Sequence, residues 1–266
     1  MQNKLIQLQS VLRQLKRVTV AVSGGVDSMT LAFIAHKTLA DKAIMIHAVS
    51  PAVPPADTQR IQDYAQKYGW ELKCVQSGEM EDSTYRENPV NRCYFCKKCL
   101  YNTLTAFNHG QVISGTNLDD LSDYRPGLIA AKENDIRHPF VEVNIDKQTI
   151  RAIASHYGLQ DIATLPASPC LASRIETGIF IIPSQLDLIN RVETKIRREI
   201  VAENIRCRLQ SQKIVIEVDE MILNASPQKE IDKLKFEIEL MVIATGLTLP
   251  VHFSAYQRGS AFLGAE

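Results

Sequence analysis

Short apolar runs and amphipathic segments alternate along the first part of the chain. Four runs are rich in apolar or β-branched residues, as buried strands are: 17–23, 42–50, 70–75 and 111–117. The segments that separate or follow them carry apolar residues at helical spacing: 27–40, 56–69, about 94–107 and 146–158. Strands that alternate with helices in this order predict βαβ units built on a parallel sheet.

Residue types mark the ends of several predicted helices. Asp57 is the candidate N-cap of segment 56–69 and Gly69 its stop signal, while segment 146–158 ends at Gly158. Near the start of the chain, leucines recur at helical spacing, at positions 5, 8, 12 and 15. This spacing predicts a helix that packs on the core, and the stretch lacks the apolar run of a secretory signal.

The pattern changes near residues 165–182, where the stretch LPASPCLASRIETGIFIIP holds three prolines and no helical period. Beyond it the pattern predicts a helix, two strands, a helix and a last strand: about 183–202, 205–210, 213–219, about 226–244 and 247–256. The sequence therefore predicts an α/β protein with a parallel-sheet domain (1–165), a linker that carries Cys170 (166–182) and a smaller α+β domain (183–266).

Composition narrows the classes of function. The 30 basic and 30 acidic side chains cancel, whereas a protein that mainly holds duplex DNA or tRNA usually shows a basic excess, so nucleic acid is not the expected partner. Hydrophobic residues make up 45% of the chain, which is enough for a sizeable core. No run of about 18 apolar residues occurs, so we expect no membrane span and a cytoplasmic location.

A glycine-rich loop separates the first predicted strand from the helix that follows it. Its sequence is Ser23-Gly24-Gly25-Val26-Asp27-Ser28. The glycines let an anion approach the backbone, and the N–H groups at the helix start attract a phosphate. The serines add hydroxyl donors, and Asp27 is a candidate to orient the loop or to hold Mg²⁺. A purely structural glycine turn is the alternative; the Gly-Lys-Ser/Thr ending of a Walker A loop is missing.

A second polar stretch follows the fourth predicted strand. Gly115, Thr116 and Asn117 come at the end of this strand, and ligands of such sheets bind beyond the carboxyl ends of the strands. Three acids and an arginine come next: Asp119, Asp120, Asp123 and Arg125. The acids are candidates for Mg²⁺ beside a phosphate, with a solvated loop as the alternative.

The hexapeptide and its setting resemble the pyrophosphatase loop (PP-loop) of the ATP-dependent adenylating enzymes. These enzymes include GMP synthetase, NAD synthetase, argininosuccinate synthetase and the tRNA thiolases. The resemblance implies a Rossmann-like fold of the adenine nucleotide alpha hydrolase type, with ATP and Mg²⁺ as ligands. It also implies that ATP is cleaved between its α and β phosphates, so that AMP is placed on an acceptor oxygen and pyrophosphate leaves.

Three cysteines, Cys93, Cys96 and Cys99, form a C-x2-C-x2-C pattern that suggests a metal site. A zinc site needs four ligands and no second C-x2-C pair follows, whereas iron–sulfur clusters also use thiolates at such spacing. On a helix, steps of three residues put the thiols on adjoining turns of one side. An incidental cluster on a helix face is the alternative.

Four motifs in this order, SGGVDS, NPVNRCYFCK, GTNLDDLSDYRPG and SPCLASRI, resemble the LarE family of ATP-dependent sulfur transferases, which act in nickel-pincer cofactor biosynthesis. The match runs from about residue 17 into the C-terminal domain. The resemblance implies that ATP adenylates a carboxylate of pyridinium-3,5-biscarboxylic acid mononucleotide and that sulfur then displaces AMP to give a thiocarboxylate. A thiolate is the fitting nucleophile for such an activated carboxylate.

The sulfur-handling cysteine of that family matches Cys170. In one version of the chemistry the cysteine gives up its own sulfur and becomes dehydroalanine. In the other version three cysteines hold a [4Fe–4S] cluster whose open iron carries an extra sulfur. The additional C-x2-C of this chain favours the cluster version, with Cys93, Cys96 and Cys170 as ligands; Cys99 is then a spare thiol.

The resemblance also implies roles for residues of the small domain and its linker. Glu193 matches a family metal ligand and is a candidate for Mg²⁺, as is Asp123 of the acidic loop, and Arg206 or Arg208 would meet the substrate phosphate. The other substrate-binding candidates are Arg174 and Arg258. The alternative is that the glutamate and the strand arginines are solvated. By analogy with the family we expect a homo-oligomer.

Two places depart from the family pattern. The chain reads Tyr256-Gln257-Arg258-Gly259-Ser260 where the family has Tyr-Arg-x-Gly-Ser, so the arginine is displaced by one position. The family often has Pro-Tyr near Glu176 and Thr177. The first departure bears on the role of Arg258, and the second bears on the shape of the loop or on the substrate.

Three other functions are weighed against the sulfur transferase. A tRNA thiolase also combines this loop with clustered cysteines, but the neutral net charge disfavours it. An amidating synthetase gives no reason for Cys170 or for the C-x2-C spacing. A non-catalytic sensor that binds ATP or a cluster would not need the intact SGGVDS loop.

Overall fold

The structure, a computed structural model, describes residues 1–121 and 125–257. The helices in chain order are α1 (Gln2–Leu15), α2 (Val26–Leu39), α3 (Pro55–Tyr68), α4 (Ser83–Arg86), α5 (Arg92–Ala106), α6 (Gly127–Glu133), α7 (Pro139–Glu142), α8 (Lys147–His156), α9 (Gln160–Ala163), α10 (Pro183–Glu199), α11 (Glu220–Ala225) and α12 (Gln228–Ile243). The strands are β1 (Val18–Ala21), β2 (Ala43–Ala48), β3 (Glu71–Val75), β4 (Gln111–Ile113), β5 (Ile205–Leu209), β6 (Ile214–Val218) and β7 (Val251–Ala255).

The chain forms two compact units. The first unit contains residues 1–82 and 91–168, and the second contains residues 83–90 together with the chain from Pro169 onward. The domain boundaries expected from the sequence, at 165/166 and 182/183, stay a prediction. Each unit is described below by itself.

The sheet of the first unit has the order β3-β2-β1-β4, and all its neighbouring strands are parallel. Strands β1 and β2 lie in the middle and are almost wholly buried. This burial explains why their sequences are mostly apolar and do not alternate with exposed polar residues, since helices cover both faces of a parallel sheet. The predicted α/β fold class, with a second smaller sheet elsewhere in the chain, is confirmed.

The strand order places a topological switch point between β1 and β4. From β1 the chain moves to β2 and then β3 on one side, while β4 pairs on the other side of β1. Open α/β sheets bind ligands in the crevice beyond the carboxyl ends of the strands at such a point. The loops that follow β1 and β4 are therefore where a ligand is expected.

Helices of the first unit bury the leucine stripe predicted at the start of the chain. Leu5, Leu8 and Leu12 of α1 are buried, and α2 is buried along most of its length. Asp146 caps α8, because its side chain accepts a hydrogen bond from the N–H of Thr149 at 2.8 Å. The predicted N-cap Asp57 was wrong: Pro54 is the cap, and Asp57 lies within the first turn of α3. A proline at the first helical position starts this helix earlier than the periodicity indicated.

The second unit contains a three-stranded sheet of order β5-β6-β7, in which β5 and β6 are antiparallel and β6 and β7 are parallel. Helix α10 packs its apolar face on β5. Residues 83–90 join this unit through Asn88, whose amide donates to the carbonyls of Ile175 and Glu176 at 3.3 and 2.8 Å. The carbonyl of Asn88 accepts from Gly178 at 2.9 Å. This segment therefore clamps the chain that follows Cys170.

Among the helices of residues 1–121 and 125–257, none is long and apolar enough to cross a membrane.

Candidate functional site

The SGGVDS loop joins β1 to α2 in a closed network of serine contacts. The Ser28 hydroxyl accepts from the backbone N–H of Ser23 at 3.0 Å and lies 3.1 Å from the Ser23 hydroxyl. It also lies 3.2 Å from the carbonyl oxygen of Gly25. Gly25 is the N-cap of α2 and supplies no side-chain cap, so a bound anion can meet the N–H groups at the helix start.

Two glycines of the site are required by close approaches. Gly24 has φ of +83°, and a Cβ there would lie 2.8 Å from Cβ of Asp57 and 3.0 Å from its carbonyl oxygen. A Cβ on Gly115, in the loop after β4, would lie 2.8 Å from the backbone nitrogen of Ser28 and 3.1 Å from Cβ of Asp27. The loops after β1 and β4 are thus packed directly against each other, as the switch point predicts.

Replacing Gly24 with alanine should destabilise the protein by about 2–4 kcal/mol, since the left-handed φ and the overlap with α3 both oppose a side chain. The matched control is Gly69→Ala, at φ of +68° with nothing within 4 Å of the added carbon. The control should lose only about 1 kcal/mol, because it bears the φ penalty alone. Urea unfolding of both variants measures the difference. Equal losses would contradict the role given to the close approach.

An ion pair ties the loop to α8. Nζ of Lys147 contacts Oδ2 of Asp27 across 120 positions of sequence. The backbone N–H of Lys147 donates to Oδ2 of Asp119 at 2.7 Å, so a carboxylate from the loop after β4 holds the first residue of α8. Three separate segments therefore meet at the carboxyl ends of β1 and β4.

The carboxyl group of Asp27 is suited to a cation. Burial raises the pKa of Asp27, and the ammonium of Lys147 opposes this rise. The other oxygen, Oδ1, is buried and has no hydrogen-bond partner among the described residues. A buried carboxylate oxygen without a donor fits Mg²⁺, which prefers oxygen ligands and phosphates.

Arg60 of α3 holds the other side of the loop. Its Nη1 donates to the carbonyl of Gly24 at 2.9 Å and to Oδ1 of Asp57 at 2.6 Å. Arg60 could not be predicted as a site residue, because an arginine on an amphipathic helix carries no signal of a contact with a loop 36 positions earlier. Its role in the structure is to fix the backbone around Gly24.

The residues after β4 form a hydrogen-bonded turn. The Ser114 hydroxyl lies 3.1 Å from that of Thr116 and 2.9 Å from Nδ1 of His138, whose pKa is lowered by burial. The N–H of Asn117 donates to Oδ2 of Asp120 at 3.0 Å, and Oδ1 of Asp120 pairs with Arg125 at 2.8 Å. The turn is thus built by the acids considered for Mg²⁺. Asp123, the acid carried forward as a Mg²⁺ ligand, lies outside the described residues.

Helix α5 carries the three clustered cysteines. Cys93 is exposed, and Cys96 and Cys99 are partly buried. The Cys99 thiol donates to Oδ2 of Asp82 at 3.8 Å, and burial raises its pKa. The assignment of Cys93 and Cys96 as cluster ligands, with Cys99 as a spare thiol, stays a prediction. Within the described part of each unit, no three His, Cys, Asp or Glu side chains converge as a metal site.

Cys170 lies in the second unit at the start of a short 3-10 turn, Leu171–Arg174, and it is exposed. The guanidinium of Arg174 donates through Nη1 to the carbonyls of Pro169 and Cys170, at 2.6 and 3.2 Å. Arg174 is itself only 2% exposed. The position of the Cys170 backbone is therefore fixed by a buried cation.

Arg174 is paired with Glu193 of α10. Nε of Arg174 donates to Oε1 of Glu193 at 2.9 Å, and Nη2 donates to Oε2 at 3.3 Å. The same Oε1 accepts from the N–H of Cys207 at 3.0 Å. Both oxygens of Glu193 thus have donors in this structure. Its assignment as a Mg²⁺ ligand stays a prediction, as does that of Arg174 as a substrate ligand.

The two strand arginines are buried rather than solvated. Arg208 donates to Oε2 of Glu217 at 3.0 Å and to the carbonyl of Ser173 at 3.0 Å. Arg206 lies over the ring of Tyr256, and burial lowers its pKa. The structure therefore excludes the solvated alternative for Arg206 and Arg208, while their contact with substrate stays a prediction. Arg258 lies outside the described residues.

The chain is similar to several known proteins over most of its length. It is 41% identical to the uncharacterized protein slr1717 of Synechocystis sp. over 202 residues, which cover 74% of this chain and 75% of the relative. It is 31% identical to the uncharacterized protein MJ0830 of Methanocaldococcus jannaschii over 234 residues, 85% of this chain and 88% of the relative. No family model matches the chain.

A third relative has a named activity. It is the pyridinium-3,5-bisthiocarboxylic acid mononucleotide synthase of Lactiplantibacillus plantarum, which is 27% identical over 244 residues. The similarity covers 88% of each chain.

Proposed function

Since the chain belongs to the family of the Synechocystis and Methanocaldococcus proteins, to which the Lactiplantibacillus synthase is more distantly related, we propose that it is an ATP-dependent sulfur transferase. Its substrate would be pyridinium-3,5-biscarboxylic acid mononucleotide, a carboxylate of which is converted into a thiocarboxylate. One observation carries this proposal. At the switch point of the parallel sheet, Gly115 and Lys147 both contact the SGGVDS loop.

The first step would activate the carboxylate. A carboxylate oxygen attacks the α-phosphorus of ATP, the bond between that phosphorus and the bridging oxygen breaks, and pyrophosphate leaves with the bond electrons. The product is an acyl-adenylate, whose AMP is a good leaving group. In this step the N–H groups at the start of α2 would bind phosphate oxygens. Ser23, Thr116 and the ordered Gly115 turn would line the site, and Asp27 would hold Mg²⁺ through Oδ1.

The second step would bring sulfur to the activated carbonyl carbon, with AMP leaving. We propose Cys93, Cys96 and Cys170 as the ligands of a [4Fe–4S] cluster, since thiolates are the ligands such clusters use. When bound, the cluster would supply an extra sulfide at an iron that the protein does not ligate. The exposure of Cys170 and its buried support by Arg174 suit a residue that must meet a ligand in a fixed position.

The other candidate for the second step is sacrificial. The thiolate of Cys170 attacks the acyl-adenylate and AMP leaves, which gives a thioester. Loss of the Cα proton of Cys170 then breaks its Cβ–S bond, so that the sulfur departs on the substrate and residue 170 becomes dehydroalanine. This version needs only Cys170, whose exposed position favours it equally.

The function is tested on protein purified without oxygen and mixed with ATP, Mg²⁺ and the mononucleotide substrate. We expect release of pyrophosphate and AMP and exchange of one carboxylate oxygen for sulfur, measured by mass spectrometry. Substrate with both carboxylates amidated is the control and should release no pyrophosphate. Failure to release pyrophosphate with the unmodified substrate would overturn the proposal.

Iron and sulfide analysis of the same preparation separates the two sulfur steps. We expect about four iron atoms per chain and, when sodium sulfide is added to resupply the extra sulfur, unchanged Cys170 after many turnovers. A colourless protein without iron or sulfide, in which Cys170 is converted to dehydroalanine after one turnover, would replace the cluster by the sacrificial step.

A further inference from the structure

The ion pair between Lys147 and Asp27 is not used by the reaction as described so far. Lys147 is the first residue of α8, and its side chain reaches the second residue of α2. The Asp27 side chain is only 23% exposed, so one role of the ion pair is to stabilise a partly buried carboxylate. The ammonium also lies at the first turn of α2, where a bound anion would need further positive charge.

That requirement arises when an anion enters the loop. A phosphate held by the N–H groups at the start of α2 would lie beside the carboxylate of Asp27, and two negative groups at contact distance repel. One Mg²⁺ on Oδ1 of Asp27 would compensate part of the charge of a triphosphate. A second cation within reach of the same carboxylate would compensate more of it.

The backbone of Lys147 is held in position independently of its side chain. Its N–H donates to Oδ2 of Asp119 at 2.7 Å, and the Asp146 cap bonds the N–H of Thr149 at 2.8 Å. The first turn of α8 is thus fixed by two carboxylates, and the ammonium extends from it to the loop. The Lys147 side chain is 37% exposed, so solvent and ligands reach it.

The ammonium has capacity for a ligand. It carries three N–H donors, and the contact with Oδ2 of Asp27 takes one of them. Among residues 1–121 and 125–257, Lys147 forms no ion pair other than the one with Asp27. A phosphate oxygen can therefore be bound while the contact with Asp27 persists.

We propose that Lys147 is a phosphate-binding residue that recognises the β and γ phosphates of ATP and the departing pyrophosphate. Asp27 keeps the ammonium at the loop before nucleotide arrives, and the charge is then shared with the phosphate tail. The inference rests on the proposed function, because it takes the loop to be the site of ATP. It goes beyond that function by naming Lys147 as the residue whose positive charge binds the β and γ phosphates.

The test compares Lys147→Met with Lys147→Arg by calorimetric titration of ATP, pyrophosphate and AMP in the presence of Mg²⁺. In Lys147→Met we expect the Kd of ATP and of pyrophosphate to rise about 10- to 100-fold, the range for loss of a hydrogen bond to a charged group. The Kd of AMP should stay within about two-fold. Lys147→Arg should recover most of the ATP affinity, since it restores a cationic donor.

The matched control is Lys42→Met. Lys42 is exposed at the turn before β2, so the Lys42→Met protein should bind ATP, pyrophosphate and AMP as the unchanged protein does. Should Lys147→Met fail to fold, Lys147→Gln carries the same comparison.

The outcomes separate this inference from the proposed function. If the unchanged protein binds ATP and Lys147→Met binds ATP equally well, or loses ATP and AMP affinity in equal proportion, Lys147 does not recognise the terminal phosphates. If the unchanged protein does not bind ATP, the proposed function fails and the inference fails with it.

Discussion

Replacing Cys170 with alanine should abolish sulfur transfer and leave pyrophosphate release within about two-fold of the rate of the unchanged protein. The reason is that the two steps use different groups: adenylation depends on the loops after β1 and β4 of the first unit, whereas the sulfur step needs the Cys170 thiolate. In either version of the sulfur step the loss should be complete, because an alanine methyl group neither ligates iron nor carries a sulfur.

The measurement follows pyrophosphate and thiocarboxylate in the same reaction. The matched control is Cys74→Ala, which removes another exposed cysteine and should leave both products unchanged. A well-folded Cys170→Ala protein that no longer releases pyrophosphate would contradict the separation of steps. Thiocarboxylate formation at the unchanged rate would remove Cys170 from the sulfur step.

Replacing Arg174 with methionine should destabilise the protein by about 3–5 kcal/mol, the cost of breaking a buried ion pair, because Glu193 then keeps only the more distant Arg197, whose Nη2 lies 3.7 Å from its Oε2. Both partners are buried, with side-chain exposures of 2% for Arg174 and 8% for Glu193. The substitution also removes the donor to the carbonyls of Pro169 and Cys170, so we expect faster proteolysis of the chain around Cys170.

The control for Arg174→Met is Arg191→Met on α10. Arg191 pairs with Asp187 at 3.5 Å on the surface, so its loss should cost less than about 1 kcal/mol. The double variant Arg174→Met with Glu193→Gln should be more stable than Arg174→Met, because the buried carboxylate charge is gone and the amide oxygen still accepts from Cys207. Chemical unfolding measures all three. A loss below about 1 kcal/mol for Arg174→Met would show that the pair does not hold this segment.

The parallel sheet could be predicted from the sequence because its signals are local. Strands β1 and β2 are mostly apolar, with only Thr19 and His47 as polar residues, because helices cover both of their faces. The two glycines of the SGGVDS loop predict a turn, and Gly24 has the positive φ of one. The end of β4 was predicted too late, at residue 117. The strand stops at Ile113 because Ser114 turns towards His138 and Gly115 packs on α2.

The contacts that shape the candidate site could not be predicted, because they join residues far apart in sequence. Lys147 reaches Asp27 and Arg60 reaches Gly24, yet each looks like an ordinary cation on an amphipathic helix. The same holds for Glu193, since nothing in the periodicity of α10 shows that a glutamate faces a buried guanidinium. Long-range polar pairs leave no periodic trace in a single sequence.

Residues 83–90 have a consequence for how the protein can be divided. They are synthesised in the middle of the first unit, but Asn88 bonds Ile175 and Glu176, and the carbonyl of Arg86 accepts from Ile181 at 2.7 Å. A fragment that begins at Pro169 therefore lacks the amide that orders the chain after Cys170. During synthesis, the second unit stays incomplete until its last strands have been made, although its first segment is made before most of the chain. The two units are products of one uninterrupted chain and not modules that can be cut apart at residue 168.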